Sequence, residues 1–193
     1  MTTLSQTYPT LIGTLWPART NQLLRWIVLM VAGSLFVAVC AQIQVPTLPV
    51  PITMQTFAVL VLGMAYGARL GAATLLLYLV EGAIGLPVFA GFASGLLNLA
   101  SGGYIIGFVL AAGVVGWLAE RGWDRNTLTT ALAMLIGNIV IYVPGLLWLS
   151  TFVDADKVFA FGLTPFLFGD VLKLVLAAVA LPLAWKLVGH PKS

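Results

Sequence analysis

The chain has 193 residues, 61% of them hydrophobic and only 8% charged, with a mean hydropathy of +1.06. A soluble domain carries about 25% charged residues, and nine Lys and Arg with six Asp and Glu cannot give this much apolar matter a water-facing surface. The net charge of +3 is spread over single basic residues without a nucleic-acid-binding patch, the lone Cys40 excludes an internal disulfide, and the lone His190 excludes an ordinary zinc shell.

A membrane helix needs about 20 apolar residues to cross the hydrocarbon core, and the pattern predicts six spans. The first covers Leu23 to Ile43; the polar residues before it are too many for a secretory n-region, so this run is expected to be retained. Pro46, Pro49 and Pro51 then enforce an extended path. A second, short span runs from Gln55 to Tyr66, turns at Gly67-Ala68-Arg69, and returns as Leu70 to Val80. The uncharged, glycine-rich stretch from Gly82 to Gly103 reads as broken backbone, which survives at membrane depth only against protein or a water-filled cavity. Tyr104 to Ala119 is the fourth span and Leu128 to Leu149 the fifth. Thr164-Pro165 reads as a cap and first turn for the sixth, Pro165 to Leu187.

The expected architecture is therefore all-α: a polytopic, six-transmembrane-helix bundle with outer capping loops. Residues 1–22 form a polar tail, 23–188 one transmembrane domain and 189–193 a second tail. An even number of spans puts both termini on one side. That side holds Arg19, Arg25, Arg69, Arg121, Arg125, Lys186 and Lys192, against Lys157 in the opposite loops. The positive-inside rule makes the termini cytoplasmic. Trp26, Trp117, Trp123 and Trp185 are expected at the inner interface and Trp148 at the outer one. The two halves of the chain share no motif spacing, so an inverted-repeat carrier is not supported.

Ionisable side chains at bilayer depth are costly and usually functional. Asp170 and Lys173 are three residues apart on the outer half of the sixth span, on one helix face. They read either as a self-neutralising ion pair or as a site for an anionic, hydrogen-bonding ligand. On the fifth span Asn138 and Tyr142 share a face, either as helix–helix glue or as ligand contacts. The charge-free stretch from Val45 to Gln55, with Thr53, Met54 and Gln55, and the stretch with Phe89, Phe92, Asn98 and Tyr104 read as lids above a cavity or as plain capping loops. Glu81 is expected to be interfacial and inert. Ser34 and Ala38 form a small-residue stripe for packing within the bundle or for docking a partner. No phosphate loop, serine–histidine pair or carboxylate dyad is present. The parts are those of a binding pocket, not of an enzyme.

Several segments taken together resemble one family. Val45-Pro46, Pro49-Val50-Pro51-Ile52-Thr53-Met54-Gln55-Thr56-Phe57 and Gly82-Ala83-Ile84-Gly85-Leu86-Pro87-Val88-Phe89-Ala90-Gly91 are similar to the BioY family. So are Gly102-Gly103-Tyr104-Ile105-Ile106-Gly107-Phe108, Gly137-Asn138 with Tyr142 and Gly145, and Gly169-Asp170-Val171-Leu172-Lys173. The similarity spans Trp26 to Leu187, and the Pro-Val-Pro-Ile-Thr-Met-Gln segment is its most specific piece. One departure is Leu99-Ala100-Ser101 before Gly102-Gly103-Tyr104, where many relatives read Gly-Pro-Thr.

The resemblance implies the biotin-binding S-component of an energy-coupling-factor (ECF) transporter in the bacterial inner (plasma) membrane. It implies no cofactor, with biotin as the transported ligand. Its partners would be an EcfT-like transmembrane coupling protein and ATP-binding cassette ATPases. The loaded subunit would topple in the membrane to deliver vitamin inward. Asp170 and Lys173 match the family's Asp-x-x-Lys, assigned to biotin. Lys173 is expected on the carboxylate and Asp170 on a ureido N–H, an assignment that could also be reversed. Asn138 or Tyr142 would assist the ring, and Phe89 or Trp148 would cover the apolar part, with Gln55, Thr53 and Tyr104 completing the substrate site. Ser34 and Ala38 would form the partner-coupling face. The alternatives are an S-component for another small vitamin, an intramembrane enzyme using Asp170 or Glu81, and a non-transporting scaffold.

Overall fold

The computed structural model describes residues 8–16 and 21–189. Arg19, His190 and Lys192 lie outside the described residues. In chain order the helices are α1 Leu11–Leu15, α2 Gln22–Gln42, α3 Gln55–Tyr66, α4 Ala68–Ala83, α5 Gly102–Ala119, α6 Thr127–Leu149, α7 Val158–Gly162 and α8 Leu167–Val188. Among them α2, α5, α6 and the Ala155–Val188 run that ends in α8 are long and apolar enough to cross a membrane, while α3 is apolar but shorter.

Local chemistry sets most boundaries. The Asn21 side chain accepts from Leu23 N–H at 3.1 Å and opens α2, and the Asn126 side chain does the same for Leu128 N–H at 2.9 Å at the start of α6. Gly67, at φ 83°, forms the whole link between α3 and α4, so the turn is one residue long instead of the three expected there. A Glu120 carboxylate oxygen accepts from Ala68 N–H at 2.9 Å, satisfying an orphan donor at the positive end of α4.

Four expectations are corrected. The proline-rich link is not purely irregular: β1 Gln44–Val45 pairs antiparallel with β2 Ile52–Thr53, a two-residue ladder inside an otherwise helical fold. The N-terminal tail carries the short helix α1, capped by Thr10, whose hydroxyl oxygen accepts from Gly13 N–H. Thr164 does not cap the last helix. Its hydroxyl donates to Phe159 O at 3.1 Å, a 3-10 turn follows over Thr164–Phe166, and α8 begins at Leu167. Trp185 lies at the expected basic end but faces inward: it is fully buried, and its indole N–H donates to Asp124 at 2.5 Å.

The core is the interior of the bundle, with α5 packed against α3, α4 and α6. The α5–α6 approach is close enough that a Cβ on Gly103 would stand 2.3 Å from Pro144 O. Arg69, Arg121, Arg125 and Lys186 all belong to one end of the bundle, at the α3–α4 and α5–α6 turns and the last turn of α8. Arg125 there lies over the rings of Tyr8 and Trp185, with its guanidinium carbon 4.7 and 4.5 Å from their centroids. The opposite end holds the two irregular segments, residues 43–54 and 84–101, and a cavity between them.

Candidate functional site

A cavity of about 120 Å³ lies at that end. Its wall takes Pro49, Val50, Pro51 and Thr53 from the first irregular segment and Phe89, Ala90, Ala93, Leu99, Ala100 and Ser101 from the second. Gln55 and Thr56 of α3, Tyr104, Ile105 and Phe108 of α5, Ile141 and Tyr142 of α6, Phe166 and Lys173 complete it. Both expected lid segments therefore line one hollow. The glycine-rich stretch makes this path by positive φ at Gly85, Gly91 and Gly95 and by two 3-10 turns, Ala90–Phe92 and Leu96–Asn98.

The apolar part of the wall is aromatic. Tyr104 stacks on Phe166 with centroids 6.2 Å apart and 27° between planes, and Tyr142 meets both rings edge-on. Phe89 is fully buried and meets Tyr78 edge-on at 5.5 Å. Its ring fits only because position 82 is glycine: a Cβ there would come within 2.0 Å of it. The Tyr104 hydroxyl donates to Gly162 O at 2.8 Å, so the ring also ties α5 to α7.

The charged part is one ion pair. Lys173 Nζ is 3.2 Å from Asp170 Oδ1, and both side chains are only 9% exposed. Asp170 stands in the first turn of α8, the positive end of its helix dipole. Its other oxygen accepts a short hydrogen bond from the Tyr142 hydroxyl. Lys173 also donates to Thr56 Oγ1 at 2.8 Å, across 117 residues of chain. An ammonium has three donors; among the described residues two go to Asp170 and Thr56, and Lys173 lines the cavity. The pair neutralises itself as the first reading expected, and its lysine also lines the cavity.

Of the expected substrate residues, Thr53, Gln55, Phe89, Tyr104, Tyr142 and Lys173 meet in this cavity. Three do not line it. Asp170 stands behind, with Lys173 and Tyr142 on its two oxygens. Asn138 borders a separate space of about 10 Å³ that Thr56 and Lys173 also line. Trp148 donates its indole N–H to Leu99 O at 3.0 Å, fastening the segment before α5 instead of covering a ligand.

Of the expected partner-coupling face, Ser34 is turned into the bundle. Ser34 is fully buried, and its hydroxyl donates a short hydrogen bond to the Glu81 carboxylate across the α2–α4 interface. Ala38 packs against the core. Small residues there let α2 approach α4 closely, and Glu81 is engaged with α2 instead of standing inert at the interface.

Sequence reasoning gave no role to Thr56, Phe166 or Tyr78. Thr56 follows the flagged Thr53-Met54-Gln55 run, but its pairing with Lys173 has no local signature. Among the described residues no group of three or more His, Cys, Asp and Glu is placed to hold a metal ion.

The comparisons with known proteins agree on one kinship. The model of the BioY family matches residues 10–190. A protein of Pyrococcus horikoshii named as a probable biotin transporter BioY is 41% identical over 162 residues, covering 81% of this chain and 94% of its own. The biotin transporter BioY of Thermotoga maritima is 37% identical over 147 residues, covering 74% and 85%. A crystal structure described as the S-component for biotin from an ECF-type ABC transporter matches with a TM-score of 0.74 at 25% identity, covering 88% of this chain and 95% of that one. These are transporters, so the reading as an intramembrane enzyme built on Asp170 or Glu81 is set aside. With the apolar helices described above, the match to the family model over nearly its whole length makes this multi-pass membrane protein a member of the BioY family.

Proposed function

We propose that the chain is a biotin-binding S-component that captures the vitamin at the external face of the cytoplasmic membrane and releases it inward with an ATP-driven coupling module. The observation that carries this reading is a buried lysine, compensated by Asp170, lining a cavity whose other walls are mostly apolar and aromatic. Biotin has an apolar bicycle and chain, a carboxylate that needs a cation and a ureido group that needs donors and acceptors. Phe89, Tyr104, Phe108 and Phe166 suit the apolar part; Thr53, Gln55 and Ser101 offer hydrogen bonds to the urea; Lys173 suits the carboxylate. Asp170 acts in this reading as the counter-charge that orients Lys173, and Tyr142 holds Asp170. The names of the relatives support biotin over another vitamin.

In this account α2, α3, α4, α5, α6 and α8 all cross the membrane, the termini are cytoplasmic and the cavity opens outward under two capping loops. The basic residues support that orientation because Arg69, Arg121, Arg125 and Lys186 sit at the end away from the cavity. The partners are a transmembrane coupling protein and ATP-binding cassette ATPases, a reading supported by the likeness to an S-component. The test is binding of labelled biotin to the purified chain, challenged with a panel of unlabelled vitamins. Saturable binding displaced only by biotin and close analogues is expected; displacement by an unrelated vitamin, or none at all, rejects the proposal.

A further inference from the structure

We propose that Tyr78 is a positioning residue that ties the polar wall of the cavity to the segment closing over it, so that ligand contact at Gln55 and closure at Phe89 act together. This rests on the cavity being the biotin site. Tyr78 does not line the cavity. It is fully buried on α4, and its hydroxyl is engaged on both sides. It accepts from Gln55 Nε2 at 2.7 Å and donates to Val88 O at 2.9 Å. Gln55 is a cavity residue, and its Oε1 accepts from the Thr53 hydroxyl at 3.0 Å. Val88 precedes Phe89, whose ring closes the wall and leans edge-on against Tyr78 itself.

A continuous chain of donors and acceptors thus runs from Thr53 through Gln55 and Tyr78 to the 86–93 segment. Its polarity is fixed at one end, because Val88 O can only accept; the Tyr78 proton is therefore committed to it and the tyrosine oxygen faces Gln55 as an acceptor. That orients the Gln55 amide with its N–H toward Tyr78 and its carbonyl oxygen toward Thr53 and the cavity. The ligand would meet an acceptor at Gln55, suited to a urea N–H. Gln42 holds the same segment independently, donating to Phe89 O at 3.0 Å and accepting from Phe92 N–H at 3.2 Å. Among the described residues these are the two side-chain anchors of the segment, and the Tyr78 anchor is the one that joins it to Gln55 on the polar wall.

The test compares wild type with Tyr78→Phe, Gln55→Leu and the double variant, all purified as the full chain. The first readout needs no ligand. Hydrogen exchange at Val88 and Phe89, whose amides are bonded to Leu86 O and Ala93 O, should be about tenfold faster in Tyr78→Phe, since Val88 O and Gln55 Nε2 lose their partner. Exchange within α5 and α6 should stay unchanged. The second readout is biotin dissociation, expected about tenfold faster in Tyr78→Phe, faster again in Gln55→Leu, which also loses its own contact with the urea, and no faster in the double variant than in Gln55→Leu, because Tyr78 acts through Gln55. Unchanged exchange at 88–89, exchange that rises equally in α5 and α6, or single effects that multiply in the double variant would each overturn the proposal. If wild type binds no biotin, the functional reading falls, while the exchange comparison still decides whether Tyr78 holds the segment.

Discussion

Replacing Lys173 by Met separates the two duties of the buried pair. The substitution keeps most of the side-chain volume but removes the cation, leaving the Asp170 carboxylate 9% exposed with only the Tyr142 hydroxyl on it. Breaking a buried ion pair from one side costs about 3–5 kcal/mol, because the remaining charge is left uncompensated. Losing a buried charge pair to a ligand costs about 2–5 kcal/mol, or about thirtyfold to a few thousandfold in Kd. Lys173→Met should therefore unfold at markedly lower temperature and lose tight biotin binding. Adding Asp170→Asn removes the orphan charge. The double variant should recover most of the thermal stability yet still bind biotin weakly, and it should no longer prefer biotin to its uncharged amide. Calorimetry with both ligands and thermal unfolding in one detergent give all the comparisons. If Lys173→Met binds biotin within threefold of wild type, or the double variant still favours the acid over the amide, the carboxylate is not read by Lys173.

Gly82→Ala should cut biotin affinity by at least about tenfold, since the new methyl would sit 2.0 Å from the Phe89 ring and force it out of the wall; an unchanged Kd would remove Phe89 from the site. Asp124 gives a pH test away from the cavity: burial pushes its carboxyl above the usual 3.8, against the opposing pull of the Trp185 N–H and Arg125. Its contribution to stability is present in full below that unfolded value and is lost as pH rises through the raised folded one. Asp124→Asn should therefore gain on wild type in melting temperature as the pH rises above the unfolded value, and a gap that shrinks with rising pH contradicts the assignment. For orientation, a cysteine at Asp156 should react with an impermeant maleimide added to intact cells, whereas one at Arg121 should react only after lysis; the reverse pattern inverts the topology.

Much of the fold was readable in the chain itself. The predicted spans at Leu23–Ile43, Gln55–Tyr66, Tyr104–Ala119 and Leu128–Leu149 differ from α2, α3, α5 and α6 by at most two residues at each end. That accuracy has a local cause for α2, α3 and α6, which are bounded by residues next to them: Asn21, Gly67, Asn126 and the prolines after Ile43. Where the outcome depended on a distant partner, the reading went astray. Thr164 had the right chemistry to cap α8, but Phe159 O was within reach of its hydroxyl. Trp185 matched an interfacial anchor until Asp124, on a turn 61 residues away, drew its indole inward.

The site divides along the same line. That Asp170 and Lys173 share a helix face follows from 3.6 residues per turn and needs no third dimension. Which of them lines the cavity does not follow, because it depends on Thr56 and Tyr142 taking up positions on either side of the pair. Likewise, the stripe of Ser34 and Ala38 was evident, but its direction was settled by Glu81 on another helix. The sequence by itself determined a chain that partitions into lipid as apolar helices, broken where proline and glycine forbid them, because those preferences act over a few residues. Only the tertiary structure decided which of the few polar groups meet, because each, once removed from water, must find a partner wherever the packing of helices brings one.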